Sequence, residues 1–319
     1  MSIKKKLIKT KKRLKSIKKR SIKSIKSIKS VKKKRLKYCP NNKITKKIGS
    51  GIESTTTEKL KKIIPVIPDD VLPSIASYLQ LNNTTIHKAV KDYLSEDENK
   101  KQNVINNYGP ISEWDVSQVT NMAKLFKNYE NFNEDISNWN VSNVKNMEGM
   151  FDDAKLFNQP LNNWNVSNVK DMQFMFSGAE SFNQPLNNWN VSKVKNMKYM
   201  FFFAKSFNQP LNGWDVSNVT NMRDMFCYAV NFNQPLNNWN VSNVTNMETM
   251  FSAAKSFNQP LNNWNVSNVI TMKWMFHYAK SFNQPLNNWD VSNVTTMKEM
   301  FAGAISFNQE NATWYITSD

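Results

Sequence analysis

The chain has 319 residues and a formal net charge of +18, from 43 Lys and Arg against 25 Asp and Glu. The first 50 residues carry 22 of the basic residues and no acidic one, so the other 269 residues carry 21 basic and 25 acidic residues, a net charge of −4. Two Cys and two His exclude a disulfide framework and leave little for metal or acid/base chemistry. No run approaches the roughly 18 apolar residues of a membrane helix, and the charged N-terminus lacks the apolar centre of a signal peptide.

Residues 1–60 are predicted to be a disordered, Lys-rich basic tail, because like charges at this density repel one another. Ile22, Ile25, Ile28 and Val31 recur every three residues, which favours an amphipathic helix on an anionic surface. Residues 1–50 could therefore bind nucleic-acid phosphates, acidic lipid or a nuclear import receptor. The alternative is a solvated tail without a specific partner.

Residues 61–110 are predicted to be helical. Within them, residues 67–79 read I-P-D-D-V-L-P-S-I-A-S-Y-L, an apolar stripe on a helix capped by Asp69 or Asp70. This pattern resembles the opening of an F-box, although the later landmarks of that family are not evident in 80–107. The alternative is that the helix only caps the array that follows. The resemblance implies contact with the Skp1 adaptor of a ubiquitin ligase through Pro68, Val71, Leu72, Ile75, Tyr78 and Leu79.

Residues 111–319 form an array with a period of 25 residues. One unit reads W-N-V-S-N-V-T-N-M-x-x-M-F-x-x-A-x-x-F-N-Q-P-L-N-N, and a fixed period of this length is typical of a solenoid or a propeller. A propeller blade needs about 40–50 residues, so 25 are too few. The period is carried by Trp114, Trp139, Trp164, Trp189, Trp214, Trp239, Trp264, Trp289 and Trp314.

The unit predicts a strand followed by a helix. Trp164 and Val166 alternate, as on one face of a short strand. Val169, Met172, Phe176 and Ala179 follow at helical spacing. The predicted fold is an α/β repeat: a right-handed, leucine-rich-repeat-like solenoid of about eight units. Each unit has one short parallel strand and one short helix, and a helical N-terminal cap precedes them. A β-helix is the weaker alternative.

The unit closely resembles the repeats of BspA-like leucine-rich-repeat surface proteins. Residues 215–222 read D-V-S-N-V-T-N-M and match that signature almost letter for letter, as do residues 290–301. The resemblance implies a solenoid with binding or surface roles and no known reaction. Bacterial members are typically exported, but no signal is visible here. We therefore expect an intracellular location, in the host cytoplasm or nucleus if the chain is viral.

No catalytic, cofactor-binding or metal-binding motif is evident, and His277 and Cys227 are interpreted as surface residues. Most of the unit is invariant from copy to copy, whereas the positions ten and fourteen residues after each Trp vary. Aromatic residues there predict a partner-binding patch on the helix face. The alternative is that these rings pack between adjacent helices. The patch consists of Phe174, Tyr199, Phe202, Phe203, Tyr228, Trp274 and Tyr278.

These observations favour a non-enzymatic protein–protein interaction solenoid whose partner is unknown. One alternative is an F-box-type substrate adaptor of an SCF ubiquitin ligase, in which 67–79 recruits Skp1 and the repeats recruit the substrate. Another is a surface or virion-associated adhesin, as the bacterial resemblance suggests. Heavy use of Lys, Asn and Ile is typical of an A/T-rich genome, such as that of a large DNA virus or a protist.

Overall fold

The computed structural model describes residues 80–316. The basic tail and the F-box-like segment, with its six expected Skp1 contacts, lie outside the described residues. The structure therefore bears on the array and on the residues directly before it.

Two helices precede the array. Helix α1 spans Ile86–Tyr93 and buries Ile86, Val90 and Tyr93. Helix α2 spans Glu98–Tyr108, and the side chain of its N-cap Asp97 accepts hydrogen bonds from two backbone N–H groups. The ring of Tyr93 lies 5.5 Å from that of Trp114, edge to face. The two helices thus cover the apolar interior of the array at its N-terminal end.

The array is a stack of 25-residue coils. We number the coils from 1, beginning at Trp114, and number positions within each coil by their distance from its Trp, so that Phe174 and Gly178 hold positions 10 and 14 of coil 3. Isolated parallel bridges join position 7 of each coil to position 7 of the next, from Asn121 to Thr296. Every coil therefore keeps the same register with its neighbours.

The coils are bonded through alternate backbone groups. In coil 3 the N–H groups of positions 8, 10, 12 and 14 donate to the carbonyls of positions 7, 9, 11 and 13 in coil 4. For example, the N–H of Phe174 donates to Lys198 O at 2.9 Å, and that of Gly178 donates to Phe202 O at 2.7 Å. Backbone groups that an isolated coil would leave unpaired are therefore satisfied between coils.

The interior consists of aromatic columns. At position 12, Phe151 and Phe176 stack 5.5 Å apart, and each also stacks on the position 18 Phe of its own coil. The Trp side chains bond back along the stack: Trp189 Nε1 donates to Leu161 O, 28 residues earlier, at 2.8 Å. The interior rings of successive coils are therefore packed directly against one another.

The structure has turns where the sequence predicted a helix. Residues 169–179 are turns and extended chain, with N–H groups donating three residues back: Met175 to Met172 O at 3.1 Å, and Ala179 to Phe176 O at 3.1 Å. Phe174 and Gly178 have φ values of +57° and +66°, which an α-helix of L-residues does not permit. Because it lacks a helix, the coil resembles the β-helix alternative more closely than the predicted strand–helix unit, although its parallel β-bridges are isolated.

Short 3₁₀ helices flank the stack. Ile111–Glu113 leads into coil 1, and Gln309–Ala312 follows coil 8's last Phe. At the second of these, Asn311 O accepts the N–H of Leu286 at 2.7 Å, and Ala312 is buried. The residues that depart from the repeat here thus still bond to the coil before them.

Candidate functional site: the turn face of the stack

The variable positions of the repeat lie on one continuous surface, which we call the turn face: positions 10, 13 and 14 of every coil. In coils 1 to 8, positions 10 and 14 have positive φ values, from +51° at Glu299 to +73° at Gly303. Side chains at position 14 lean over the following coil. The carboxylate of Asp153 occupies the space where a Cβ on Gly178 would lie, and the ring of Tyr278 does so at Gly303.

Five of the seven predicted patch residues form one cluster, the first aromatic group. Two stacked pairs, Phe174–Tyr199 at 4.5 Å and Phe203–Tyr228 at 4.3 Å, are joined by Phe202, which meets Tyr199 edge to face at 5.3 Å and Phe203 at 4.7 Å. The rings therefore pack against one another across coils 3 to 5. They are half-buried, except for Tyr228, which is 43% exposed.

The other two predicted residues lie in coil 7 and form the second aromatic group with His277. The imidazole of His277 lies 4.3 Å from the ring of Tyr278, and the ammonium of Lys273 lies 3.7 Å above the ring of Trp274. Trp274 Nε1 donates to Glu299 Oε2 at 3.2 Å. Tyr278 is 52% exposed.

Coil 6 separates the two groups with small side chains. Its turn face carries Thr249, Ser252 and Ala253, of which Ser252 is 6% and Ala253 is 5% exposed. Thr249 Oγ1 is the one buried side-chain nitrogen or oxygen within residues 80–316 that has no hydrogen-bond partner. The aromatic surface is thus interrupted for the width of one coil.

The structure corrects the predicted exposure of Cys227. It was predicted to be a surface residue, but it is 4% exposed at position 13 of coil 5, next to Tyr228 of the first aromatic group. Burial, with a smaller contribution from the charge of Asp224, raises the pKa of its thiol to about 12. The missed signal is that small side chains recur at position 13, where Ser177, Cys227 and Ser252 are all buried. A thiol this buried and this weakly acidic is not a nucleophile at neutral pH.

Charges on the turn face and at the neighbouring position 9 are paired within and between coils. Arg223 Nε contacts Asp224 Oδ2 of the same coil at 3.0 Å, and its Nη1 lies 3.4 Å from Glu248 Oε2 in the next coil. Lys127 and Asp152 make a 2.6 Å pair between coils 1 and 2. The ammonium groups of Lys198 and Lys273 instead lie over the rings of Tyr199 and Trp274, at 5.1 Å and 3.7 Å.

Residues 80–316 contain no cluster of three or more His, Cys, Asp or Glu that could hold a metal ion. His277 Nε2 and Glu299 Oε2 are 4.0 Å apart, beyond a hydrogen bond. A cavity of about 440 Å³ lies near the helical cap, lined by Leu94, Asn128, Tyr129, Glu130, Asn131, Phe132, Asn133 and Glu134.

One signal in the sequence could have indicated the left-handed turns. Gly149, Gly178 and Gly303, together with Asn128 and Asp153, occur at positions 10 and 14, and these residue types tolerate positive φ best. The aromatic residues at the same positions in other coils conceal this pattern, because they have no such preference. The predicted binding residues therefore lie on turns and not on a helix.

Among the residues that are described, no helix has the length and hydropathy to cross a membrane. Neither the curated proteins nor the solved structures yielded a match to the chain. A family model described as "Mycoplasma protein of unknown function, DUF285" matches residues 97–213 and again 202–314. These matches span all eight coils and two thirds of the sequence. The chain therefore belongs to the DUF285 family of repeat proteins.

Proposed function

We propose that this chain is a non-enzymatic protein-interaction solenoid that binds a protein partner through its turn face. The observation that carries the proposal is the first aromatic group, five rings stacked across three coils at positions where the repeat does not require aromatic residues. Coil 1 has Lys124 and coil 2 has Gly149 at position 10, and both keep the same backbone.

The energetics of binding favour such a surface. Aromatic side chains dominate the binding energy of protein interfaces because they bury a large area with few rotatable bonds. Here the rings already contact one another, as in the 4.5 Å stack of Phe174 on Tyr199, so little conformational entropy is lost on binding. The paired charges of Arg223 and Glu248 flank the rings and would form part of a polar rim.

The test replaces Tyr199, Phe203, Trp274 and Tyr278 together by Asn, which tolerates left-handed backbone. Proteins captured by the tagged full chain after crosslinking are identified by mass spectrometry, for this variant and for the wild type. The control variant changes Lys124, Asp153 and Glu299, which hold the same positions in other coils, to Asn.

We expect the aromatic variant to lose one or more partners that the control variant retains, with the circular dichroism melts of both within a few degrees of wild type. Capture of the same partners at the same yield by a folded aromatic variant would overturn the proposal. The intracellular location is part of the same proposal, and so is the BspA-like class of repeat, which the 25-residue sequence pattern supports.

A second candidate function is that of a ubiquitin-ligase adaptor, which the F-box-like sequence of residues 67–79 favours. In that case the full chain would co-purify with Skp1, and Leu72→Asp combined with Ile75→Asp would abolish the association. Lack of Skp1 in wild-type preparations would exclude it. A role as a surface adhesin would instead place a tagged chain on the outside of a cell or particle.

A further inference from the structure

Position 6 of the repeat carries lysine in three successive coils, and we call these three residues the lysine ladder. Lys145, Lys170 and Lys195 hold this position in coils 2, 3 and 4, and all three are exposed. The backbone N–H of Lys170 donates to Lys145 O at 2.9 Å, and that of Lys195 donates to Lys170 O at 3.0 Å. Because strands bonded in this way lie about 4.8 Å apart, the three side chains project from a surface only about 10 Å long.

The lysine ladder departs from the rest of the repeat. Coils 1, 5, 6 and 8 have Thr at position 6, and in three of them its hydroxyl donates to the position 6 carbonyl of the coil before. For example, Thr295 Oγ1 donates to Ile270 O at 3.0 Å. Lysine in adjacent coils replaces these hydroxyl groups and places like charges side by side, which is unfavourable between neighbouring strands. The fold therefore does not need lysine at this position.

The carboxylates nearest to the ladder along the chain are engaged elsewhere. Glu148, in coil 2, pairs with Lys124 at 3.0 Å. Asp171, which follows Lys170, is half-buried, and its side chain accepts the N–H of Gln173 at 2.9 Å. In the described part of the chain, the ladder lysines thus take part in no ion pair.

Two further lysines of coil 4 connect the ladder to the first aromatic group. Lys193, at position 4, donates to Asn168 Oδ1 at 2.9 Å. Lys198, at position 9, lies 5.1 Å from the centre of the Tyr199 ring, which belongs to that group. The basic surface therefore continues along coil 4 to the rings through which we propose that the chain binds its partner.

The charge of this surface calls for an anionic ligand, and its size indicates which kind. Residues 111–316 contain 14 basic and 16 acidic residues, so only nine basic residues remain outside these five lysines. The acidic excess around the ladder would repel a long polyanion that extended beyond it. Tight binding to nucleic acid takes about 6–10 phosphate contacts, more than five lysines provide. A short acidic stretch of polypeptide fits both limits.

We propose that the lysine ladder binds a short acidic segment of the protein partner, whose carboxylates pair with Lys145, Lys170 and Lys195. This inference rests on the proposed function and adds to it the charge of the partner beside the first aromatic group. Because the lysines are exposed, the pairs act mainly on the rate of association and make binding sensitive to salt.

The repeat itself supplies the variant that tests the ladder. The ladder variant combines Lys145→Thr, Lys170→Thr and Lys195→Thr, which install the residue of coils 1, 5, 6 and 8. Since Thr brings back the hydroxyl donor and removes the repulsion between like charges, this variant should melt no lower than wild type. The distal variant is the matched control, and it removes the same charge from exposed positions of coils 6 to 8 by placing Thr at Lys255, Lys280 and Lys298.

The direct probe is a decaglutamate peptide, titrated into the full chain labelled with ¹⁵N-lysine. Residues 1–50 carry 22 basic residues that would also attract this peptide, so the measurement has to be local to the ladder. The backbone N–H resonances of the three ladder lysines are therefore followed, each assigned by its loss in a single Lys→Thr variant.

We expect all three resonances to shift until saturation, those of Lys255 and Lys280 to shift clearly less, and about 0.5 M NaCl to reverse the shifts. Absence of a shift at the ladder in excess peptide would overturn the inference. So would larger shifts with an oligothymidylate at the same concentration of charge, because the ladder would then be a nucleic-acid site.

Partner capture separates this inference from the proposed function. We expect the ladder variant to reduce capture about tenfold at low salt and the distal variant to leave it unchanged. If the four-residue aromatic variant loses the partner but the ladder variant retains it, the ladder is wrong and the turn face stands. If only the ladder variant loses the partner, the ladder stands and the turn face is not the binding surface. If both retain it, both proposals fail.

Discussion

The interior columns and the turn face of the same coils follow different rules. In the interior, Phe176, Met172 and Val169 are fully buried, and the same residue types recur from coil to coil. On the turn face, position 10 accommodates Lys124, Gly149 and Trp274 without a change of backbone. The difference shows which side chains the fold needs and which it merely tolerates.

The physical reason is the direction of the packing. An interior ring contacts the rings of the coils on both sides, so a change in one coil leaves a cavity against two neighbours. A turn-face side chain projects from a backbone that is already held in place by hydrogen bonds between coils. Residues on the turn face can therefore vary with little effect on stability, and substitutions of decreasing expected effect test this separation.

Trp239→Ala should be the most destabilising change. The Trp239 side chain is 2% exposed, and its Nε1 donates to Leu211 O at 2.9 Å, so truncation creates a cavity and removes one of the two N–H donors to that carbonyl, leaving the backbone N–H of Trp214. We expect a loss of about 3–5 kcal/mol in the free energy of unfolding, measured by urea denaturation. Trp314→Ala, at the half-buried end of the stack, should cost clearly less, and an equal cost would contradict the distinction.

Asn233→Ala should have the next largest destabilising effect. Its side-chain oxygen accepts from the N–H of Asn258 at 2.9 Å and from Gln259 Nε2 at 3.0 Å, both in the next coil. Removing this acceptor leaves two donors unpaired and should cost about 1–3 kcal/mol in the same measurement. The matched control is Asn240→Ala, because the oxygen of Asn240 accepts only within its own coil, from Ser242. Equal costs would show that bonds between coils are no more important than local ones.

Thr249→Asn should stabilise the chain. Thr249 is β-branched, has a φ of +55°, and carries the unpartnered Oγ1. Asn is more tolerant of left-handed backbone, so we expect a gain of about 1 kcal/mol and a higher melting temperature. Thr245→Asn, at a position without positive φ, should bring no gain. A lower melting temperature for Thr249→Asn would mean that the hydroxyl is needed.

The smallest effect concerns charge at position 7. Burial raises the pKa of Asp171 above its ordinary value of 3.8, so the folded state holds this proton more tightly than the unfolded state does. Stability should therefore fall as pH rises from 3.8 through the raised pKa. Asp171→Asn, which installs the residue of Asn146 and Asn196, should be more stable at pH 7 by a few tenths of a kcal/mol after solvent screening, and no more stable at pH 3.

Asp215→Asn tests a carboxyl group whose pKa is shifted in the opposite direction. The hydrogen bonds from Ser217 lower the pKa of Asp215, so its contribution to stability is present above pH 3.8 and is lost as pH falls through the lowered pKa. Replacing it should bring no gain at pH 7. Melting curves of wild type and both variants at pH 3 and pH 7 measure how each substitution changes the dependence of stability on pH. Changes of the same sign for Asp171→Asn and Asp215→Asn would contradict the two opposite pKa shifts.

Much of the array could be predicted because it follows from the period of the sequence. The period of 25 residues places every Trp, Phe and Met at equivalent positions, and a coil this small must stack to bury them. The turns could not be predicted in the same way. Val169, Met172, Phe176 and Ala179 lie three or four residues apart, and an amphipathic helix and a run of four-residue turns place such residues inward equally well.

The sequence by itself therefore determined that identical coils stack and which side chains form their interior, because apolar burial depends mainly on residue type and spacing. The tertiary structure decided the backbone of the turn face. A coil bonded to its neighbours through alternate N–H groups, such as those of Phe174 and Phe176, gains hydrogen bonds that no isolated coil could make. Those bonds between coils hold residues such as Tyr228 and Thr249 in a left-handed conformation that their own preferences disfavour.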